Sequence, residues 1–242
     1  GEASGDAGTI DQAIGLLQQL VALRETPERH SLLGSAYKRQ AMLRAHVPAT
    51  GDERQALLAA LGEYERAEAL CRAAGANELH YPSLNIAAVQ LRLAMKDGKA
   101  AQVADRIEQV RVALQAQATA APDFWSLCGL VELSLIEALA QGRLAAAQIG
   151  IRNGFADLAQ RVPAPHLWKS VHDQTRFLLQ PLDTGTAQDK AAQAILKQLA
   201  ALLPVPVPHL VRDWVLRERD RGNTVSASTR ARMQASAEAL LA

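Results

Sequence analysis

The segment RHSLLGSAYKRQAMLRA, residues 29–45, holds a glycine inside a stretch that otherwise favours a helix. Gly34 directly follows Leu33, and Tyr37 comes three residues later. A glycine in a helix interior costs about 1 kcal/mol relative to alanine, so its presence needs a physical reason. We interpret Gly34 as a contact residue where two helix axes approach closely, with Tyr37 filling the wedge at which the next helix crosses. Packing then outweighs the loss of helix propensity.

The composition favours an all-α protein. Of the 242 residues, 49% are hydrophobic but only 4% are aromatic. Alanine and leucine, with glutamine, arginine and glutamate between them, dominate the chain, and these residues are good helix formers. Runs of β-branched and aromatic residues that are typical of strands are nearly absent. A chain of this length can also bury a sizeable core.

The charge balance argues against several classes of partner. The chain carries 26 basic and 25 acidic residues, a net charge of +1, and therefore no overall field that attracts nucleic acid or an anionic membrane. No window approaches 18 uninterrupted apolar residues, so the sequence predicts no membrane span. Cys71 and Cys128 have no CxxC or Cys/His context, and we expect two buried thiols in a reducing, cytoplasmic environment.

Apolar periodicity predicts pairs of helices joined by short loops. After a first predicted helix at residues 10–24, the first helices of three pairs begin near residues 27, 81 and 122, with Thr26 and Pro27 at one start. These starts imply units of about 40 to 55 residues, a period typical of helical solenoids. We favour a solenoid over the competing four-helix bundle because each first helix carries small residues at the same place.

Two sets of residues in the first unit keep a fixed spacing. The first predicted helix of the unit carries His30, Leu33, Gly34 and Tyr37, and the second carries Ala60, Tyr64 and Ala67. This spacing resembles the tetratricopeptide repeat, although the loop between the two helices is about 14 residues longer than in that repeat. Degenerate versions follow in the next two units, as Asn85-Ile86-Ala87 and as Trp125, Cys128 and Gly129.

Longer segments indicate which group of tetratricopeptide proteins the chain resembles. ERHSLLGSAYKRQAML at 28–43, LGEYERAEALCRAAG at 61–75 and HYPSLNIAAVQL at 80–91 follow one another. This order resembles the tetratricopeptide module of bacterial conflict-system and signalling proteins, and a module in the TRAF-binding region of the apoptosis-signal-regulating kinases. The likeness extends over about residues 25–180 and implies a sensing or docking scaffold, with an effector domain elsewhere in the same full-length chain.

We therefore expect a right-handed α-α superhelix of tetratricopeptide type with extra helices at both ends. Residues 1–9 are predicted to be a flexible linker, 10–182 the helical-hairpin array, and 183–242 capping helices that cover the exposed end of its core. Prolines at 204–208 should re-orient the last helices. The segment RDWVLRERDRG, 212–222, is interpreted as a salt-bridged surface helix anchored by Trp214.

Candidate catalytic or metal-binding residues do not form a recognisable motif. His166 and His172 are six residues apart and do not share a helix face, and no HExxH occurs. The carboxylates of Glu63 and Glu65, and of Glu132 and Glu137, are interpreted as solvated helix faces. We expect no metal, no cofactor, no catalytic residue and no enzymatic activity.

The inner face of a tetratricopeptide array is lined by its first helices, and five residues on two such helices suit a binding groove. These are Lys38, Arg39, Tyr81, Asn85 and Arg92. Together their side chains can hold a carboxylate or a peptide backbone.

The favoured function is a non-catalytic scaffold or regulatory module that binds a peptide or a partner helix in this groove. Two alternatives stay open. One is a sensor for a small anionic or nucleotide-like ligand that controls an attached effector, and the other is a helical enzyme with an unrecognised site.

Overall fold

The computed structural model of the chain describes residues 2–45, 52–75, 80–180 and 186–203, together with Ser226, Ser228 and Thr229. Within these ranges the secondary structure is entirely helical, as predicted. The α-helices are α1 Glu2–Leu23, α2 Pro27–Arg44, α3 Asp52–Ala74, α4 His80–Lys96, α5 Ala104–Ala120, α6 Phe124–Ala140, α7 Leu144–Arg161, α8 Pro165–Leu179 and α9 Ala187–Ala200. A short 3-10 helix, Ala100–Val103, leads into α5.

Local signals set the ends of these helices where the sequence predicts them. The Thr26 side chain accepts a hydrogen bond from the backbone N–H of Arg29, and Pro27 occupies the first turn of α2. Asp123 caps α6 in a reciprocal capping box with Ser126. Gly98 ends the turn after α4 with a φ of +68°, a conformation that residues with a side chain rarely adopt.

The helices pack as an array of antiparallel neighbours. Successive helices contact one another from α1 to α7, and α9 packs on α7 and α8. Contacts also join alternate helices, since α4 lies against α6 and α6 lies against α8. The first helices of successive pairs therefore form one layer, which is the arrangement that the helical-pair pattern predicts.

Gly34 and Gly129 lie at close contacts between helices, which confirms the predicted contact role of Gly34, whereas the prediction that Tyr37 fills the crossing is wrong. A side chain at Gly34 would place its first carbon 3.0 Å from the ring of Tyr64 on α3. One at Gly129 would lie 2.8 Å from a methyl group of Leu114 on α5. Both glycines are buried. The ring in the crossing belongs to Tyr64, whereas Tyr37 faces α1 and accepts a hydrogen bond from Gln18 at 2.8 Å.

Aromatic packing anchors α8 to the rest of the array. The ring of Trp168 meets those of Phe124 on α6 and Phe155 on α7 edge-on, with centroids 5.3 and 6.4 Å apart. Its indole N–H donates to the carbonyl of Val162 at 2.9 Å, so the polar group of this buried residue is satisfied. Edge-to-face contacts of this kind add to the free energy from burial alone.

The described helices differ from the expected layout at the N-terminal end. Helix α1 begins at Glu2 and so includes residues 2–9, which were predicted to be a linker. The chain divides into two compact units, Gly1–Leu202 and Leu203–Ala242, and α9 belongs to the first. The predicted proline break at 204–208 and the helix around Trp214 lie outside the described residues.

Replacing Gly34 by leucine is expected to lower the free energy of unfolding by about 1–3 kcal/mol, because the new side chain overlaps the buried ring of Tyr64. Urea denaturation measures the effect. The matched control is Gly62→Ala in α3, where nothing lies within 4 Å of the added carbon. That change should raise stability by about 0.5–1 kcal/mol. Equal stability of G34L and the wild type would contradict the contact role of Gly34.

Candidate functional site

The five residues predicted to line a groove have different environments. Asn85 and Arg92 are buried, Lys38 is half-buried, and Arg39 is exposed. Tyr81 keeps 42% of its surface exposed. The structure brings Lys38, Asn85 and Tyr81 together around one cavity, whereas Arg92 makes a separate set of contacts.

Lys38 connects three helices through its ammonium group. Its Nζ atom donates to Oδ1 of Asn85 on α4 at 2.8 Å and to Oε1 of Gln174 on α8 at 2.5 Å. The aromatic rings of Tyr64 and Phe177 lie 5.9 and 5.4 Å from Nζ, near enough for cation–π attraction. Burial lowers the pKa of Lys38 to about 8, because the charged form loses hydration.

Arg92 holds the C-terminal end of α8 against α4. Its guanidinium donates to the carbonyl of Phe177 at 2.7 Å, and this carbonyl belongs to the last turn of α8, where no helical N–H is available. The same group pairs with Glu53 of α3 at 2.7 Å and lies over the Phe177 ring. Only 3% of Arg92 is exposed, so its contacts serve structure and leave little for a partner.

The prediction that Glu132 lies on a solvated helix face is wrong. Only 7% of Glu132 is exposed, since α4 and α8 both pack on α6, which carries it. Burial raises the pKa of its carboxyl to about 8, and the positive charge of Lys38 partly opposes that rise. Glu137 is the partly exposed member of the pair and forms an ion pair with Arg111 at 2.7 Å.

Two adjoining cavities meet at Tyr81 and Trp125, and together they form what we call the cleft. The inner cavity, of about 80 Å³, lies between α2, α4, α6 and α8 and is lined by Lys38, Asn85, Cys128, Glu132, Ser170 and Gln174. The outer cavity, of about 330 Å³, lies at the N-terminal ends of α2, α4 and α6 and is lined by Pro27, Glu28, Leu32, Pro82 and Asp123. Pockets that bind small molecules have volumes of a few hundred cubic ångströms.

The inner cavity contains polar groups whose hydrogen-bonding capacity is unused. Gln174 accepts from Lys38 through Oε1, but its Nε2 has no partner among the described residues although the side chain is buried. Glu132 likewise accepts no hydrogen bond from any residue in the described ranges. Buried groups of this kind are normally satisfied, so each marks a place where a further partner would gain free energy.

Glu132, Gln174 and Trp125 line the cleft but were not predicted as site residues. A signal existed on α6, since Trp125, Cys128 and Glu132 follow one another at intervals of three and four residues and so share a helix face. No such signal existed for Gln174, because its role depends on where α8 packs.

The remaining chemistry-bearing residues form structural contacts. His30 is buried, and its Nδ1 atom lies 2.7 Å from a carboxylate oxygen of Glu63, so this histidine contributes to the packing of α2 against α3. Cys71 and Cys128 are both buried, as expected. In the part of the chain that the structure describes, no group of three His, Cys, Asp or Glu side chains is placed to hold a metal ion. Every helix there is too short or too polar to cross a bilayer.

Replacing Arg92 by methionine is expected to lower the free energy of unfolding by about 3–5 kcal/mol, because Glu53 loses a buried partner and α8 loses its tie. Chemical denaturation and hydrogen exchange of the α8 amides measure both effects. The control is Lys96→Met, which removes the second, 41% exposed partner of Glu53 and should cost less than about 1 kcal/mol. Equal losses in the two variants would contradict the structural role of Arg92.

Glu132 is expected to make the wild type less stable as pH rises from about 5 to about 8. The folded state keeps the Glu132 proton up to a pKa of about 8, whereas the unfolded chain releases it near 4.5, so deprotonation favours unfolding across this interval. Glu132→Gln should therefore reduce the fall in melting temperature between these pH values. Lys38 does not mask the effect, because its lowered pKa acts above pH 8 and with the opposite slope. Glu137→Gln is the control, and an unchanged slope in E132Q would refute the assignment.

Comparison with known proteins agrees with this architecture. Residues 2–90 match the model of the family described as Tetratricopeptide Repeats-Sensor. The match covers α1 to α3 and most of α4, and so includes Gly34, Lys38, Tyr81 and Asn85. No curated protein and no solved structure shows significant similarity to the chain. The family match over residues 2–90 and the all-helical fold of the described residues support a tetratricopeptide-type helical repeat.

Proposed function

We propose that the chain is a sensor module whose small ligand occupies the cleft between α2, α4, α6 and α8. Tetratricopeptide-type domains generally serve as protein-interaction or sensor modules. The observation that carries the proposal is the position of α8, which closes the layer of first helices and leaves a polar cavity with an aromatic mouth. Enclosure on four sides suits a small molecule, which gains affinity when most of its surface is buried.

A peptide laid along the first helices is the second candidate, and Arg39 and Tyr81 favour it because both are accessible. The other three predicted groove residues support it less. Lys38 and Arg92 bind Gln174 and the Phe177 carbonyl of α8, and Asn85 accepts from Lys38. An extended peptide that used these groups would have to displace α8 and break those hydrogen bonds.

The charges around the cleft favour a ligand without a net negative charge. Lys38 is the basic residue of the lining, whereas Glu28 and Asp123 are acidic and Glu132, with its pKa raised to about 8, is mostly uncharged near pH 7. The hydrogen bonds of Lys38 to Asn85 and Gln174 already use two of its three N–H groups. The anionic part of the sensor alternative is therefore less favoured than a neutral polar ligand.

The proposed role is non-catalytic. Cys128 is the thiol that lines the inner cavity, and burial raises its pKa well above the usual value, with the Glu132 charge acting in the same direction. A thiol in such an environment stays protonated and is a poor nucleophile. Lys38 is engaged in hydrogen bonds to two side-chain oxygens, which stabilise its protonated form against the effect of burial.

Sensing follows if ligand binding changes how firmly α8 is held. The ligand would contact α6 and α8 at once, because Glu132 and Gln174 both line the inner cavity. A ligand that binds the closed arrangement better than an open one shifts the population toward closure. An effector domain elsewhere in the full-length protein would then respond to the position of α8 and α9.

Ser170→Trp is expected to abolish ligand binding, because Ser170 is an exposed residue of α8 that lines the inner cavity and an indole there fills it. Lys169→Trp is the matched control, since Lys169 is 65% exposed on the same helix and does not line the cleft. Thermal shift and hydrogen exchange are measured with a defined set of nucleosides, amino acids, amides and sugar phosphates, and with peptides.

The proposal expects at least one small compound to stabilise the wild type and K169W, to protect the amides of α8 from exchange, and to leave S170W unchanged. A compound that stabilises S170W equally well binds elsewhere and contradicts the cleft. Stabilisation by peptides alone would replace the proposal with the docking function.

A further inference from the structure

The inner cavity offers an acceptor and a donor from two different walls. The carboxyl group of Glu132 comes from α6, and the Nε2 amide group of Gln174 comes from α8. Both side chains are 7% exposed, Nε2 of Gln174 has no hydrogen-bond partner among the described residues, and Glu132 keeps its proton up to a pKa of about 8. A ligand that pairs with the Glu132 carbonyl oxygen and with the Gln174 N–H groups presents a donor next to an acceptor.

Lys38 and Asn85 of the inner cavity are already hydrogen-bonded to each other. Asn85 accepts from Lys38 through Oδ1 and donates to the Tyr81 carbonyl at 3.1 Å through Nδ2. Gln174 has its Oε1 atom occupied by Lys38, so it has only N–H groups to offer. Lys38 retains one N–H group, which reinforces the preference for an acceptor on the ligand.

A ligand head group that only accepts or only donates hydrogen bonds satisfies only part of the hydrogen-bonding capacity of Glu132 and Gln174. A ligand carboxylate would accept from Gln174, Lys38 and the protonated Glu132 carboxyl, but it would offer no donor to the Glu132 carbonyl oxygen and would bring a full negative charge into a buried site. A ligand ammonium would donate to Glu132, but it would leave the Gln174 N–H groups unpaired and bring a second positive charge close to Lys38. An unpaired buried polar group costs the complex its desolvation free energy.

The size and walls of the cleft restrict the rest of the ligand. About 80 Å³ in the inner cavity accommodates a group of a few heavy atoms, whereas the outer cavity of about 330 Å³ accommodates a ring. Tyr81 and Trp125, 42% and 40% exposed, lie where the two cavities meet, and Leu32 adds an exposed apolar surface beside them. Flat aromatic walls of this kind favour a flat ring.

We infer that the cleft recognises a neutral primary carboxamide carried on a flat ring, with the amide N–H donating to Glu132 and the amide oxygen accepting from Gln174. The ring lies between the two cavities, against Tyr81 and Trp125. This inference rests on the proposed function, since it specifies the ligand class for the same cleft. Glu132 is then the residue that distinguishes the amide from other head groups.

Three probes that share a benzene ring and differ in their head group test which head group the cleft prefers. Benzamide presents a donor beside an acceptor, benzoate presents acceptors only, and benzylamine presents donors only. Their dissociation constants, on the order of millimolar for compounds of this size, are measured by ligand-observed NMR titration. Benzamide should bind at least about tenfold more tightly than either of the others.

Glu132→Met tests the residue, with Glu137→Met as the matched control on the same helix. The first change removes the acceptor from the inner cavity, whereas Glu137 lies outside the cleft and pairs with Arg111. Replacing a buried carboxyl by an apolar side chain of similar size is compatible with folding, which circular dichroism checks. E132M should weaken benzamide about tenfold and leave benzylamine no better bound, while E137M should bind benzamide as the wild type does.

Each outcome supports or overturns the inference. Equal or tighter binding of benzoate, or of benzylamine, overturns the amide assignment, and so does unchanged benzamide affinity in E132M. If the three probes fail to bind while another compound is lost only in S170W, the inference fails and the proposed sensor function stands. If no compound distinguishes S170W from K169W, both fail.

Discussion

The packing of α8 against the first helices is the constraint on which the other features of the site depend. Arg92 ties the last turn of α8 to α4 through the Phe177 carbonyl, and Lys38 ties its middle to α2 and α4 through Gln174. Trp168 secures the start of the helix against Phe124 and Phe155. Without this helix in place, Lys38 and Glu132 would face water, their pKa values would return toward ordinary ones, and the inner cavity would have no fourth wall.

The polar groups that α8 buries lose hydration, and contacts within the fold only partly offset this free-energy cost. Lys38 recovers part of its lost hydration from two carbonyl oxygens and two aromatic rings. Glu132 recovers less, because its compensation comes from the charge of Lys38 and from no direct hydrogen bond within the described residues. Groups left in this condition are a common mark of a binding site, where a ligand supplies the missing partner.

Helix α6 shows how architecture and recognition share one element. Gly129 lets α6 approach Leu114 of α5 and Leu84 of α4, and the same approach brings Trp125 and Glu132 to the cleft. A side chain at Gly129 would push the helices apart and shift the Glu132 carboxyl group, which we propose recognises the ligand. The small residue is thus a packing feature whose effect extends to the chemistry of the site.

Local patterns in the sequence were enough to predict the helices, their caps and the close approach at Gly34, because short-range periodicity and capping chemistry control these features. They also predicted that Lys38, Tyr81 and Asn85 would meet, since the first helices of a repeat array share one face. They did not predict that Glu132 is buried, that Arg92 holds α8 against α4, or that Gln174 lines the cleft and accepts a hydrogen bond from Lys38. Those three depend on α8 folding back across the first helices, and that contact joins residues more than 80 positions apart, as Arg92 and Phe177 are. Burial and electrostatics at such a contact are properties of the assembled fold, because the solvent is excluded only once all four helices are in place.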